Sequence, residues 1–257
     1  NRYTAERRMR HDDAYTPNDE GGKRPDRAVT VYTQRCKEAY KGVPVIIGGI
    51  EASLRRIAHY DYWSDELKPS ILKESGADML LYGMSEMPLR ELVEELKSGK
   101  SIKDIRHIKQ SAFLVTKSEG VPEQSLWETV EIASHYKCLK HPKSYAANFK
   151  VIEQESNKTY ARRIVQSIGD QYLIINPPYP VMQEKEIDRS FDLPFTRLPH
   201  PKYDKRGAIP AFEMIKFSIN MHRGCFGGCS FCTISAHQGK FIASRSTDSI
   251  MKEVNQV

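Results

Sequence analysis

Val43-Pro44-Val45-Ile46-Ile47-Gly48-Gly49-Ile50-Glu51 and, further along, Ala77-Asp78-Met79-Leu80-Leu81-Tyr82-Gly83 follow one pattern twice. Each is an apolar run of strand length that ends at glycine. A helical pattern follows each, over 52–59 in the first case and 88–97 in the second. Strand, glycine turn and helix in alternation predict an α/β domain with a parallel, doubly wound, Rossmann-like sheet. Ligands of such sheets bind beyond the carboxyl ends of the strands, where Gly48, Gly49 and Gly83 fall; a tight turn alone would also call for glycine there.

Working outward, a helix is expected over 28–40 and strands over 111–116 and 171–175, with helical stretches over 126–139 and 145–168 between them. Residues 1–30 are rich in charge and turn formers and predict irregular surface structure. The stretch 57–65, IAHYDYWSD, crowds an imidazole, two phenols, an indole and two carboxylates together. It fits either stacking on a planar substrate or packing against a neighbour, and packing is favoured. From 176 to 210 the prolines of PPYP, LP, LPHP and IP predict an extended connection. The division expected is 1–175, a linker over 176–210, and a second domain from 211 to 257.

A chain of 257 residues that is 39% hydrophobic and 28% charged can bury a sizeable core. No apolar run approaches membrane-spanning length and the start is polar, so no membrane role and a cytoplasmic location are expected. The net charge of +6 is spread along the chain. It leaves nucleic acid open as a partner, without an RNA-binding signature to support it.

Cys225-Phe226-Gly227-Gly228-Cys229-Ser230-Phe231-Cys232 places three of the five cysteines within one glycine-rich turn. An alternating run, Ile215, Phe217, Ile219 and Met221, predicts a strand leading into it. Closely spaced thiolates suit an iron–sulfur cluster or zinc. Zinc would need a fourth ligand, which His222 or His237 could supply. A disulfide is disfavoured because three clustered cysteines pair unevenly. Cys36 and Cys138 stand apart and read as partly buried structural thiols.

The Cys-x-x-x-Cys-x-x-Cys spacing, the aromatic before its last cysteine, and the following Gly-Lys and Ser-Arg-Ser resemble the radical SAM superfamily. HRGCFGGCSFC, IGGIEASLRRIAHYDYWSD and NRYTAERRMRHDDAYTP together resemble its YgiQ-type branch, a bacterial group. The resemblance implies a [4Fe-4S] cluster held by Cys225, Cys229 and Cys232, with S-adenosylmethionine (SAM) on the open iron. It further implies reductive cleavage of SAM to a 5′-deoxyadenosyl radical, and a one-electron reductant such as flavodoxin or ferredoxin.

Phe231 is the position expected near adenine, and an apolar plug under the loop is the equal alternative. Arg245, beside a helix predicted to start near Asp248, is a candidate for the SAM carboxylate; equally, it points at solvent while Ser246 or Thr247 caps the helix. The resemblance makes the fold a cobalamin-binding-domain-like sheet followed by the start of a partial TIM-type barrel. An Asp-x-His-x-x-Gly signature is lacking, which argues against cobalamin. With no initiator Met and an end at Val257 inside a helical pattern, the sequence reads as a piece of a longer chain. A zinc-stabilised binding module, for RNA among other partners, and a non-catalytic iron–sulfur sensor remain the competing functions.

Overall fold

Both strand–glycine–helix patterns fold next to one another, at one edge of a single sheet. The computed structural model describes residue 4 and residues 6–257. In it α1 (Ala28–Ala39) leads to β1 (Ile46–Ile47) and α2 (Gly49–Leu54). A hairpin of β2 (His59–Asp61) and β3 (Glu66–Lys68) and a short α3 (Ile71–Ser75) bring the chain to β4 (Met79–Leu81) and α4 (Glu86–Lys97). Then come β5 (Ser111–Thr116), β6 (Thr129–Ile132), α5 (His135–Lys140), α6 (Pro142–Ser156), β7 (Arg163–Ile168) and β8 (Gln171–Ile175). The sheet has six strands in the order β1-β4-β5-β8-β7-β6 and is open.

The expected parallel arrangement is only partly realised. β1–β4 and β6–β7 pair parallel, while β4–β5, β5–β8 and β7–β8 pair antiparallel. The β7–β8 connection shows why. Ile168 faces Gln171 across a two-residue Gly169-Asp170 turn, and Gly169 takes φ +59°. Only antiparallel strands can be joined so tightly.

The two central strands are apolar on both faces because both faces are covered. Ala112, Leu173 and Ile175 join Ile47, Ala52, Ile71, Leu72 and Leu80 on one side. Phe113, Val115, Val165 and Ile174 cluster separately. The alternation in β4 sends Met79 and Leu81 to Leu92 of α4 and to Ile102, Ile105 and Ile108, while Leu80 joins the first group. Side chains this deeply enclosed each contribute about 2 to 5 kcal/mol against truncation to alanine.

The described residues divide into two compact units nested in sequence. The sheet unit is Val29–Val181 with Gly224–Ile242, and it contains α9 (Ile234–Gln238). The other unit comprises the described residues of Asn1–Ala28 with Met182–Arg223 and Ala243–Val257. Here Ala211 N donates to Ala14 O (2.8 Å) and Asn18 N to Ala208 O (2.8 Å), so the opening segment is tied to the residues beyond 200. The parts of the NRYTAERRMRHDDAYTP motif at residues 1–3 and 5 lie outside the described residues. This second unit carries α7 (Glu184–Phe191), α8 (Pro210–Ile215), a two-stranded antiparallel ribbon of β9 (His222–Arg223) and β10 (Ala243–Ser244), and α10 (Thr247–Val254).

Several local expectations are corrected. The helix expected over 145–168 stops at Ser156, and its last quarter is β7. The stretch 126–139 splits into β6, which is rich in β-branched residues, and α5, which starts where the Ser134 hydroxyl accepts from Lys137 N (3.1 Å). The helix after Gly49 ends at Leu54, so His59 to Asp61 is a strand of a hairpin. Within 176–210, α7 forms because Gln183 and Glu186 make a capping box, with Gln183 N donating to Glu186 Oε2 (2.8 Å). The strand expected before the cysteines is reduced to β9: α8 runs to Ile215, Phe217 is exposed outside any strand, and Met221, whose carbonyl accepts from Arg245 N (3.0 Å), only leads into the two-residue β9. Residues 211–257 therefore form helices and a ribbon, with no barrel strand order among the described residues. No helix among the described residues is long and apolar enough to cross a membrane.

Candidate metal centre

The three clustered cysteines lie on a loop closed at its base by backbone geometry. Gly224 takes φ +92°, and a Cβ there would fall 2.0 Å from the Phe241 carbonyl oxygen, so no larger residue fits. Gly224 N donates to Gln238 Oε1 (3.1 Å) and Cys225 N to Gly239 O (3.0 Å), which zips the two ends of the loop together. At the tip Cys232 N donates to Cys229 O (3.1 Å), a tight turn. Gly227 sits between two sulfurs: a Cβ on it would lie 3.3 Å from Cys225 Sγ and 3.8 Å from Cys229 Sγ. Cys225 is half-buried, Cys229 and Cys232 are exposed, and all three are free thiols.

The loop rests on the carboxyl edge of the sheet, the place where a ligand was expected. α9 packs on α2, directly after the Gly48-Gly49 turn. Gly83, just past β4 with φ +69°, approaches so closely that a Cβ on it would be 3.0 Å from the His237 carbonyl oxygen and 3.1 Å from Gln110 Nε2. Gly83 N is held by Ser53 Oγ (2.9 Å), and Gln110 Nε2 bridges Tyr82 O (2.6 Å) and Met84 O (2.7 Å). A half-buried ion pair, Lys240 Nζ to Glu153 Oε2 at 2.7 Å, fastens the far end of the loop to α6. The glycines were legible in the sequence. The contact of Gly83 with His237 and the Lys240–Glu153 pair were not, because each joins residues far apart in sequence.

Phe231 is 90% exposed beside Cys232 and Phe226 is 84% exposed, so Phe231 is not packed beneath the loop. Arg245 belongs to the other unit. It does not face solvent: its side chain is wholly enclosed and ion-paired to Glu253. It also donates to Ser249 Oγ and O and to Asn220 O (2.9 Å), and its guanidinium stacks on Phe191 at 4.4 Å. Ser246 caps α10 as expected, accepting from Ser249 N at 3.1 Å. His222 is exposed on β9, and His237 is half-buried on α9. Cys138 is buried, where desolvation pushes its thiol pKa up and Asn148 Nδ2 donates to its sulfur (3.2 Å); Cys36 is exposed.

The aromatic stretch is the β2–β3 hairpin. Asp61 is buried and accepts from Ser64 N (3.2 Å) and Ser64 Oγ (2.5 Å), so it shapes the turn. Tyr62 and Trp63 meet edge to face at 5.3 Å on the surface.

A family model described as radical SAM N-terminal matches residues 1–218. The chain belongs to the radical SAM N-terminal family. A UPF0313 protein of Porphyromonas gingivalis strain W83 is 53% identical over 258 residues, which takes in all of this chain and 40% of that protein. A UPF0313 protein of Bacteroides thetaiotaomicron is 51% identical over 268 residues, covering 43% of its length. The UPF0313 protein YgiQ of Escherichia coli K12 is 44% identical over 307 residues, covering 41%. The chain thus spans about two fifths of the length of the curated relatives it matches. No solved structure matches it.

In this radical SAM N-terminal chain the family match ends before Cys225, and the cysteines stand outside it. Three free thiols on one loop, two of them flanking a glycine whose missing Cβ leaves room between the sulfurs, fit an iron–sulfur cluster by donor chemistry. Among the described residues no three His, Cys, Asp or Glu side chains already converge as a metal site.

Proposed function

We propose that this chain carries the cluster loop of a radical SAM enzyme, with Cys225, Cys229 and Cys232 holding a [4Fe-4S] cluster. The observation that carries the reading is the Gly227 cradle between two cysteine sulfurs, in a chain of the radical SAM N-terminal family. When bound, the cluster and SAM supply one-electron cleavage of the sulfonium carbon–sulfur bond, with flavodoxin or ferredoxin as the class of electron donor.

The chain's own residues set the surroundings. Gly227 and Gly228 let the backbone fold around the sulfurs, and Phe231, exposed next to Cys232, offers a face on which adenine can stack. Arg245 is committed to Glu253, and we assign it to holding α10 in place rather than to a SAM carboxylate. The sheet unit is read as a Rossmann-like domain without cobalamin, its ligand edge taken by the cysteine loop.

Iron, acid-labile sulfide and zinc assayed after anaerobic reconstitution test the reading. About four irons and four sulfides per chain, with an electron-spin signal that changes on adding SAM, are expected. Stoichiometric zinc that persists under iron and sulfide supply would instead make this a structural metal module.

A further inference from the structure

Arg163, the first residue of β7, is only 6% exposed, yet no carboxylate among the described residues lies within ion-pairing distance of it. Its two partners are neutral. Nε donates to Thr129 Oγ1 (3.0 Å) and Nη1 to the Pro122 carbonyl (2.8 Å), which fixes the guanidinium plane and leaves Nη2 with no acceptor among the described residues. Buried guanidinium groups are normally paired, as Arg245 is with Glu253 here.

Arg163 lines an open cleft of about 580 Å³ with Val121, Pro122, Glu123, Gln124 and Ser125. The loop that forms the cleft is internally fixed. Gln124 Oε1 accepts from Leu126 N (2.8 Å) and Trp127 N (3.0 Å), and its Nε2 donates to Trp127 O (2.6 Å). The buried Trp127 indole N–H of the same loop also has no acceptor among the described residues. Burial presses the Arg163 pKa down, and no acidic neighbour offsets the effect.

We propose that this cleft binds a small oxyanion, which accepts from Arg163 Nη2 and from the Ser125 hydroxyl on the rim. A fixed guanidinium edge with an unused donor matches a carboxylate or phosphate oxygen. The Glu123 carboxylate, which also lines the cleft, opposes extended polyanions and restricts the class to a single small group. The site does not depend on the cluster reading.

The test titrates the whole chain with inorganic phosphate and, separately, acetate at constant ionic strength, following melting temperature and amide spectra. A saturable rise in melting temperature is expected, with spectral changes at residues 121–125 and 163. A response to phosphate alone identifies a phosphate site, and a response to both identifies any small oxyanion. Arg163→Met should lose the response while melting no lower in chloride, because it removes an unpaired buried charge. Glu123→Gln should tighten phosphate binding by about threefold. A wild-type chain with no response beyond that to chloride overturns the proposal. So does an Arg163→Met variant that still responds or, should that variant not fold, a Glu123→Gln variant with unchanged affinity.

Discussion

Two enclosed carboxylates show how single residues hold the molecule together. Burial would raise the Glu155 pKa, but hydrogen bonds from Arg162 (Nη2, 2.6 Å; backbone N, 2.9 Å) and Lys158 (2.8 Å) outweigh it and hold the pKa down at about 2. A depressed folded-state pKa contributes stability above the unfolded value of 4.5, and that stability is lost as pH falls toward 2. Glu155→Gln should therefore cost about 3 kcal/mol at pH 7 and flatten the acid limb between about pH 5 and pH 2 in denaturant titrations. In the other unit Glu253 takes hydrogen bonds from Arg245 and from Arg197 (2.6 Å), which pull its pKa down against burial. Arg245→Met leaves Glu253 short of its inner partner, and a loss of about 3 to 5 kcal/mol is expected in the same measurement. A stable Arg245→Met variant that binds SAM weakly would return Arg245 to the cofactor.

Among the elements, α9 and the sheet edge make the sharpest predictions. A side chain at Gly83 has to displace the His237 carbonyl and also adopt φ +69°. Gly83→Ala should cost about 1 to 3 kcal/mol, and amide exchange should quicken across 224–242 while β5 and β8 stay protected. Gly227→Ala should leave melting temperature unchanged and lower iron incorporation, because its methyl enters the space between two sulfurs. Equal iron in that variant and the wild-type chain would show that the cradle plays no part in holding the metal.

Much of this scale was legible in the sequence. α1, α4, β5 and β8 lie where periodicity put them, each being a run whose face is settled by its own neighbours. The helical errors fell where a long helical reading ran on through a break. The Gly169-Asp170 hairpin, the Ser134 cap and the Gln183–Glu186 box were local signals in plain view. The pattern Ile215, Phe217, Ile219, Met221 misled because alternation marks a strand only where another strand stands beside it, and the β10 partner reaches only its last residues. Likewise the cysteine spacing was legible, but its seat on Gly83 and Glu153 was not, since that contact joins residues remote in sequence.

At the scale of the whole molecule, the apolar clusters of the sheet unit draw on residues before 176 and take nothing from the cysteine loop. Cys229→Ala is therefore expected to abolish iron and sulfide uptake while leaving far-ultraviolet dichroism and the main unfolding transition intact. Collapse of the sheet in that variant would show that the loop is part of the core.

The nesting of the two units also fixes an order of events during synthesis. Every strand of the six-stranded sheet has left the ribosome before Gly224 is added, so the seat for the cysteine loop can be folded before the thiols exist to occupy it. The opening segment has the opposite schedule: its partners around Ala208 and Ala211 are made nearly two hundred residues later. A nascent chain paused near residue 220 would thus display a finished sheet and an unpaired start before the thiol loop is made, so the seat stands ready ahead of the cysteines it receives.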